Sequence, residues 1–421
     1  MCLYLFINAA SDQRTTHGKI MMSDARNTYI DRERQIFLLS TGTFCIFLAL
    51  LSLIPLLPMI SDELAISRSE LGWVAGVFMI CMALFQIPFG LLSDRFGRRP
   101  MIISGMLIFT AGVFMLGISS TFVSLLAARA ISGIGAAIFF TTSFTMVGDL
   151  YRLRERGHAM GILAIATGFG TVLGYSMGGL LGDLYGWRFV FIWFSALTLL
   201  VAISFLLLKE TGYCTEGGYC YRDMIYLSFD VFRIKSVVLV TLIAMMCNMA
   251  SIGSSYVLPF YAQDAGMSVA VTGLIFIPFA IVSSAGASAC GKCSDIVGRR
   301  RPLIVVTTIA GLALVIFSWL PVNAPAMAVN FALVGLCFGP VVTLTSTILV
   351  DHVVREDSHI LGTSMGTFNM IRWMGAAFGP VAGGIMLEVY GPELSFMVFG
   401  LLILISAVLS IMIYEEWMDN E

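Results

Sequence analysis

The chain has 421 residues, 58% hydrophobic and only 12% charged, with a net charge of −2. A soluble globular chain is about 25% charged. Too few polar side chains are present here to cover a surface facing water, so the composition excludes a freely soluble domain and points to lipid as the solvent.

In chain order, residues 1–35 form a cytoplasmic N-terminal segment. Its apolar start, LYLFI, has no basic residues before it and makes a poor signal peptide. Met21 or Met22 is an expected alternative start. Spans of about 20 apolar residues, the length that crosses a hydrocarbon core, follow at 36–60, 73–93, 101–119, 122–148, 159–182 and 187–208. A polar break at 209–235 is the longest in the chain. Its second part, Tyr221 to Phe232, is expected to form a helix at the membrane interface. Six further runs occupy 236–260, 271–290, 303–320, 325–350, 362–387 and 394–414, with a cytoplasmic tail at 415–421. The expectation is an all-α membrane protein of twelve transmembrane helices, six in each of the segments 36–208 and 236–414.

Basic residues set the orientation, because they gather on the cytoplasmic side. With the N-terminus inside, 20 of the 24 Lys and Arg residues fall in cytoplasmic segments. Arg68 and Arg188 fall outside, and Arg129 and Arg372 fall within spans. Both termini are therefore expected to be cytoplasmic, in a multi-pass protein of the plasma (inner) membrane.

One charged phrase occurs twice: GLLSDRFGRRP at residues 90–100 and GKCSDIVGRRRP at 291–302. Asp94 and Asp295 are 201 residues apart, as are Pro58 and Pro259. The fifth run carries Gly161, Gly170, Gly174, Gly178 and Gly179. The eleventh repeats that spacing 205 residues later, with Gly366, Gly375, Gly379, Gly383 and Gly384. The halves are thus repeats related by an axis along the membrane normal, a transporter architecture. The glycines permit close helix packing in lipid.

These motifs resemble those of the major facilitator superfamily. Gly90, Asp94, Gly97, Arg98 and Arg99 match its signature loop, and Gly291, Asp295, Gly298, Arg299 and Arg300 form the second copy. Arg129, Gly133 and Gly135 are similar to its helix 4 signature. The helix 5 glycines resemble the drug/proton antiporter branch, with Tyr175 standing where that branch has proline. Helix 11 keeps the proline, Pro380. Asp94 sits at the C-terminal end of helix 2, where the dipole disfavours a carboxylate. The resemblance implies that Asp94 caps the start of helix 11 while Arg98 pairs with Asp149, a latch holding the cytoplasmic side shut. Arg99 and Arg301 read as orientation anchors.

An arginine at mid-membrane costs about 2.5–3.5 kcal/mol on insertion scales, which makes Arg129 a candidate for a cavity or gating role or, alternatively, a structural residue that satisfies backbone carbonyls. Arg372, flanked by Asn369 and Trp373, shares a helix face with Gly375 and Gly379 and reads either as a substrate contact or as a packing residue. Asn248 and Gln86 are further intramembrane polar groups, read as interhelical hydrogen bonds or ligand contacts. No acidic residue lies mid-span. That argues against an organic cation held by a fixed carboxylate and favours a neutral, hydrophobic or anionic substrate. Asp94, Asp149 and His158 stand at the cytoplasmic edge, where they can titrate, and proton coupling is implied by the resemblance. The 25 methionines suit an adaptable cavity.

Cys290-x-x-Cys293 lacks a second ligand pair, so no metal is expected. No G-x-x-x-x-G-K-[ST] loop is present, so ATP does not drive the protein directly. Neither a cofactor, an enzymatic reaction nor a nucleic-acid partner is expected, and the chain should act as a monomer. The expected function is secondary active transport: proton-coupled efflux of a small organic molecule by alternating access. Uptake or facilitated movement of an organic anion is the alternative, and a transporter-like sensor a remote one.

Overall fold

The computed structural model of the chain describes residues 32–151, 155–211, 235–356 and 361–413. Met21 and Met22, the Tyr221–Phe232 segment and the tail 415–421 lie outside them. Twelve helices are long and apolar enough to cross a membrane. In chain order they are α1 (Arg32–Leu64), α2 (Arg68–Phe96), α3 (Arg98–Ile118), α4 (Phe122–Leu150), α5 (Arg156–Tyr185) and α6 (Trp187–Ser204, extended by a 3-10 turn to Leu207). Then follow α7 (Lys235–Asp264), α8 (Val269–Val297), α9 (Arg300–Phe317), α10 (Ala324–Glu356), α11 (Leu361–Tyr390) and α12 (Pro392–Ile411). The protein is an all-α, multi-pass membrane protein, as expected, with no strand among the described residues.

Helices overrun the apolar runs because polar caps stop them, not the end of hydrophobicity. Ser67 starts α2 by a reciprocal pair: its Oγ accepts from Glu70 N at 3.2 Å, and Glu70 Oε2 accepts from Ser67 N at 3.0 Å. Ser268, 201 residues later, starts α8 by accepting from Val271 N at 3.3 Å. Five joints carry a glycine with positive φ, a conformation that side chains resist; one is Gly266 (α7–α8, +76°), and the other four stand at equivalent joints. These four are Gly97 (α2–α3, +92°), Gly186 (α5–α6, +83°), Gly298 (α8–α9, +83°) and Gly391 (α11–α12, +84°). The same joint thus recurs every three helices, as expected of nested three-helix repeats. Exposed side chains on α6 and α12, such as Leu200, Ile203, Ile405 and Val408, are apolar, as a lipid-facing surface requires. Hydroxyls inside spans return to their own helix: Ser40 Oγ donates to Ile36 O at 2.7 Å and Thr43 Oγ1 to Leu39 O at 3.0 Å.

Across the two sets of six, α2 packs on α11, α5 on α8, and α1 on α7 and α8. These contacts lie toward the end opposite the charged phrases. Here the end bearing the phrases is the basic end.

Candidate gating and substrate sites

At the opposite end the two sets meet by backbone approach. A Cβ at Gly72 of α2 would stand 2.5 Å from Pro380 O of α11. A Cβ at Gly273 of α8 would stand 2.5 Å from Tyr175 O of α5. Gly72 and Gly273 are repeat partners, as are Pro380 and Tyr175, so one contact is made twice. Tyr175, which departs from the antiporter pattern, is buried and stacks on Phe276 of α8 with ring centroids 4.2 Å apart and planes at 7°. The departure therefore falls on the interface between the sets, where a ring takes the place of a proline.

Polar bonds close the same end. Arg68 at the start of α2 grips Asp264 at the end of α7 with two bonds, of 3.0 and 2.8 Å. Tyr256 OH donates to Arg68 O, Ser69 N donates to Glu388 Oε2 at 3.2 Å, and Gln263 Nε2 donates to Asp62 Oδ2 at 2.6 Å. In sequence, Arg68 carried only an orientation signal. Its partner lies 196 residues away, beyond the reach of any local pattern.

The basic end is arranged differently. A Cβ added at Gly161 of α5 or Gly366 of α11 would meet no atom within 4 Å. Arg98, buried at the start of α3, donates from Nε to Asp149 Oδ2 at 3.1 Å and from Nη1 to Asp94 Oδ1 and to Ser93 Oγ, the last at 2.8 Å. The expected Arg98–Asp149 pairing is thus present. Asp94, however, is held by Arg98 within its own set of helices, and among the described residues it has no bond to the start of α11. The reason is geometric, since the two sets make their contacts at the other end.

In the second copy Arg299 pairs with Asp351 of α10. Asp351 was missed from sequence, although it stands 202 residues after Asp149 and the repeat offset points to it. Ser294 Oγ donates to Gly291 O at 2.7 Å, as Ser93 Oγ does to Gly90 O at 2.7 Å. Asp295 is exposed at the end of α8. Glu210 was also missed, because it opens a stretch that reads as polar loop. It accepts from Arg98 N at 2.7 Å and Arg99 N at 3.1 Å, supplying the cap that α3 lacks from Gly97. A Cβ on Gly97 would lie 2.8 Å from Glu210 Oε2.

The repeated glycines divide by task. Gly170, Gly174 and Gly178 approach α1 at Phe44, Leu48 and Ser52, and Gly375, Gly379 and Gly383 approach α7 at Met245, Met249 and Gly253. Gly179 and Gly384 instead face the other set, at Val269 and Arg68.

Both intramembrane arginines are buried. Arg129 donates from Nε to Val74 O of α2 at 3.4 Å, with its guanidinium 4.5 Å from the Phe78 ring centre. Arg372 lies 4.7 Å from the Trp373 ring centre, and its Nη2 donates to Asn369 Oδ1 at 3.2 Å. The structure thereby joins three of the candidate residues, Arg372, Asn369 and Trp373, in one cluster. Asn248 is buried in α7 and Gln86 half-buried in α2, apart from that cluster in the bonds they make. Among the described residues no group of His, Cys, Asp and Glu is placed to hold a metal.

Twelve helices in two matching sets, joined at one end and carrying paired charged joints at the other, define a transporter fold. The sequence profile of the Major Facilitator Superfamily matches residues 39–373 and 237–417. The chain belongs to this family, and its relatives place it near the drug/proton antiporter branch. It is 26% identical over 371 residues to Multidrug resistance protein 1 of Bacillus subtilis, covering 84% of this chain and 89% of that protein. It is 21% identical over 371 residues to the riboflavin transporter RibZ of Clostridioides difficile, covering 76% and 81%. Among solved structures it resembles the nucleoside transporter NupG (TM-score 0.76, 14% identity, 90% of this chain and 99% of that one). It also resembles the human organic anion transporter MFSD10 (TM-score 0.66, 20% identity, 90% and 99%).

Proposed function

We propose that this transporter exports a small organic molecule in exchange for protons by alternating access, as a monomer in the plasma membrane with both termini cytoplasmic. The observation that carries the reading is the asymmetry between the two ends. One end is closed by the Arg68–Asp264 grip and the glycine contacts. The other holds the parts of a second latch, with Asp94 turned to Arg98 instead of α11. The excess of basic residues makes the latter end cytoplasmic, so this conformer opens inward. Closing the inner end would let Asp94 reach the start of α11 and break the outer contacts. Relatives named for multidrug resistance, and the glycine spacing of α5, support export.

A second reading, movement of an organic anion, is favoured by the two buried arginines, Arg129 and Arg372, that have no carboxylate partner among the described residues. Purified protein in liposomes tests the proposal. An imposed pH gradient should drive substrate uphill, and added substrate should speed the gradient's decay. A proton moving down 100 mV gains about 2.3 kcal/mol, enough for more than tenfold accumulation of a neutral substrate exchanged one for one. Flux that follows only the substrate's own gradient would remove proton exchange from the account.

A further inference from the structure

Three arginines are buried among the described residues: Arg98, Arg129 and Arg372. Arg98 is neutralised by two carboxylates, Asp94 and Asp149. The other two have no carboxylate within ion-pair distance. Nor does the sequence offer one nearby, since every acidic side chain lies at or beyond a helix end. A guanidinium carries five N–H donors and cannot be discharged in a protein. Arg129 makes one hydrogen bond, through Nε. Arg372 also makes one among the described residues, through Nη2, and its Nε is buried with no acceptor among them.

The two guanidiniums sit on different sides of α2. Arg129 docks on α2 at Val74 and Phe78, the face of the helix turned away from Gly76. Gly76 is where α2 meets α11, a Cβ there standing 2.6 Å from Ala377 O. Arg372 is five residues before Ala377 on α11, about 7.5 Å along the helix toward the basic end, and so stands beside that seam. Trp373 covers one face of the Arg372 guanidinium and Asn369 occupies one of its nitrogens. What stays without an acceptor among the described residues is Nε, whose N–H can take an oxygen of an acid group, while Nη2 beside it is shared with Asn369. A lysine would offer only a point charge in its place.

We infer that the transported molecule is an organic anion whose carboxylate or phosphate is received by Arg372. This rests on the transport reading above, takes the second of its two substrate readings, and names the residue that receives the acid group. Arg372 is buried without a counter-charge among the described residues, which carries a desolvation cost. A bound acid group neutralises that charge and lowers the cost.

The test compares probes of one shape and different charge on the purified full-length protein: 2-naphthoate, 2-naphthyl phosphate, 2-naphthamide and 2-naphthylmethylammonium. The expected result is a rise in thermal midpoint with an acid and little with the amide or the ammonium. Whichever acid binds tighter identifies the group. Arg372→Gln should weaken that acid at least tenfold, and Arg372→Lys should restore only part of it. Equal stabilisation by the amide or the ammonium, no stabilisation by either acid, or undiminished acid binding by Arg372→Gln would overturn the inference. If Arg372→Gln does not fold, the charge preference of the unaltered protein decides alone. Flux in liposomes separates this inference from the transport reading. Acid binding without flux would sink transport and leave the anion site standing, whereas flux of the amide or ammonium without any preference for acids would do the reverse.

Discussion

Gly273 lies where α5 and α8 touch, and Gly273→Ala puts a single methyl into that seam. The new Cβ would stand 2.5 Å from Tyr175 O and 3.1 Å from Gly179 Cα, where ordinary contact begins at 3.4 Å. Both obstacles are backbone, so no side chain can swing aside, and the two helices must separate by nearly an ångström. Overpacking of this kind costs about 1–3 kcal/mol, a shift of roughly 5- to 150-fold in a two-state equilibrium. That cost falls only on the conformer closed at this end. Alanine is otherwise better than glycine inside a helix by about 0.5–1 kcal/mol, so global stability should not fall. Spin labels at Leu184 of α5 and Leu274 of α8, both exposed, would report the separation in a background without the native cysteines. A new, longer distance population should appear in Gly273→Ala. Gly72→Ala, its repeat partner against Pro380 O, should act alike at the α2–α11 seam. Unchanged distances in both variants would refute the idea that this seam opens.

Other outcomes follow from the charged joints. Gly97→Ala forces a side chain into positive φ, at about 1–2 kcal/mol, and against Glu210 Oε2. It should lower the thermal midpoint in detergent, and Glu210→Gln should lower it by less, since about 0.3–1 kcal/mol attends a charge at a helix N-terminus. Arg299→Ala should destabilise the protein because Asp351 loses its partner. Adding Asp351→Asn should recover part of that loss, read as a positive coupling in a double-mutant cycle. Asp94→Asn should change the midpoint little, because its side chain is half exposed. It should still raise the reactivity of cysteines placed at the basic end, since the inner latch would no longer hold.

Much of this was legible in the sequence, for a physical reason. In lipid every backbone group must be bonded within its helix, so apolar length alone declares the spans, and duplication leaves offsets of 201 and 205 residues. The Arg98–Asp149 pair was legible through the family motif, and the Arg372 cluster because Asn369, Arg372 and Trp373 are near neighbours on one helix. Asp351 was within reach of the same repeat. Glu210 was hidden because a cap supplied from a loop 112 residues away leaves no local pattern. The outer closure was hidden for a deeper reason. Under the proposed alternating access, Arg68 and Asp264, or Gly72 and Pro380, would meet in one conformer only, and hydrophobic periodicity is the same in every conformer.

The central claim is that the two ends of the bundle open in alternation. Distances measured by spin labels across both ends test it most directly. One pair would sit at Phe96 and Ile296, exposed positions at the basic end, and the other at Val123 and Val322 at the opposite end. Alternating access predicts two populations at each pair, with the Phe96–Ile296 distance short whenever the Val123–Val322 distance is long, and with Gly273→Ala and Asp94→Asn shifting both pairs in opposite directions. A single, unmoving distance at each end, in every variant and at every pH, would contradict it.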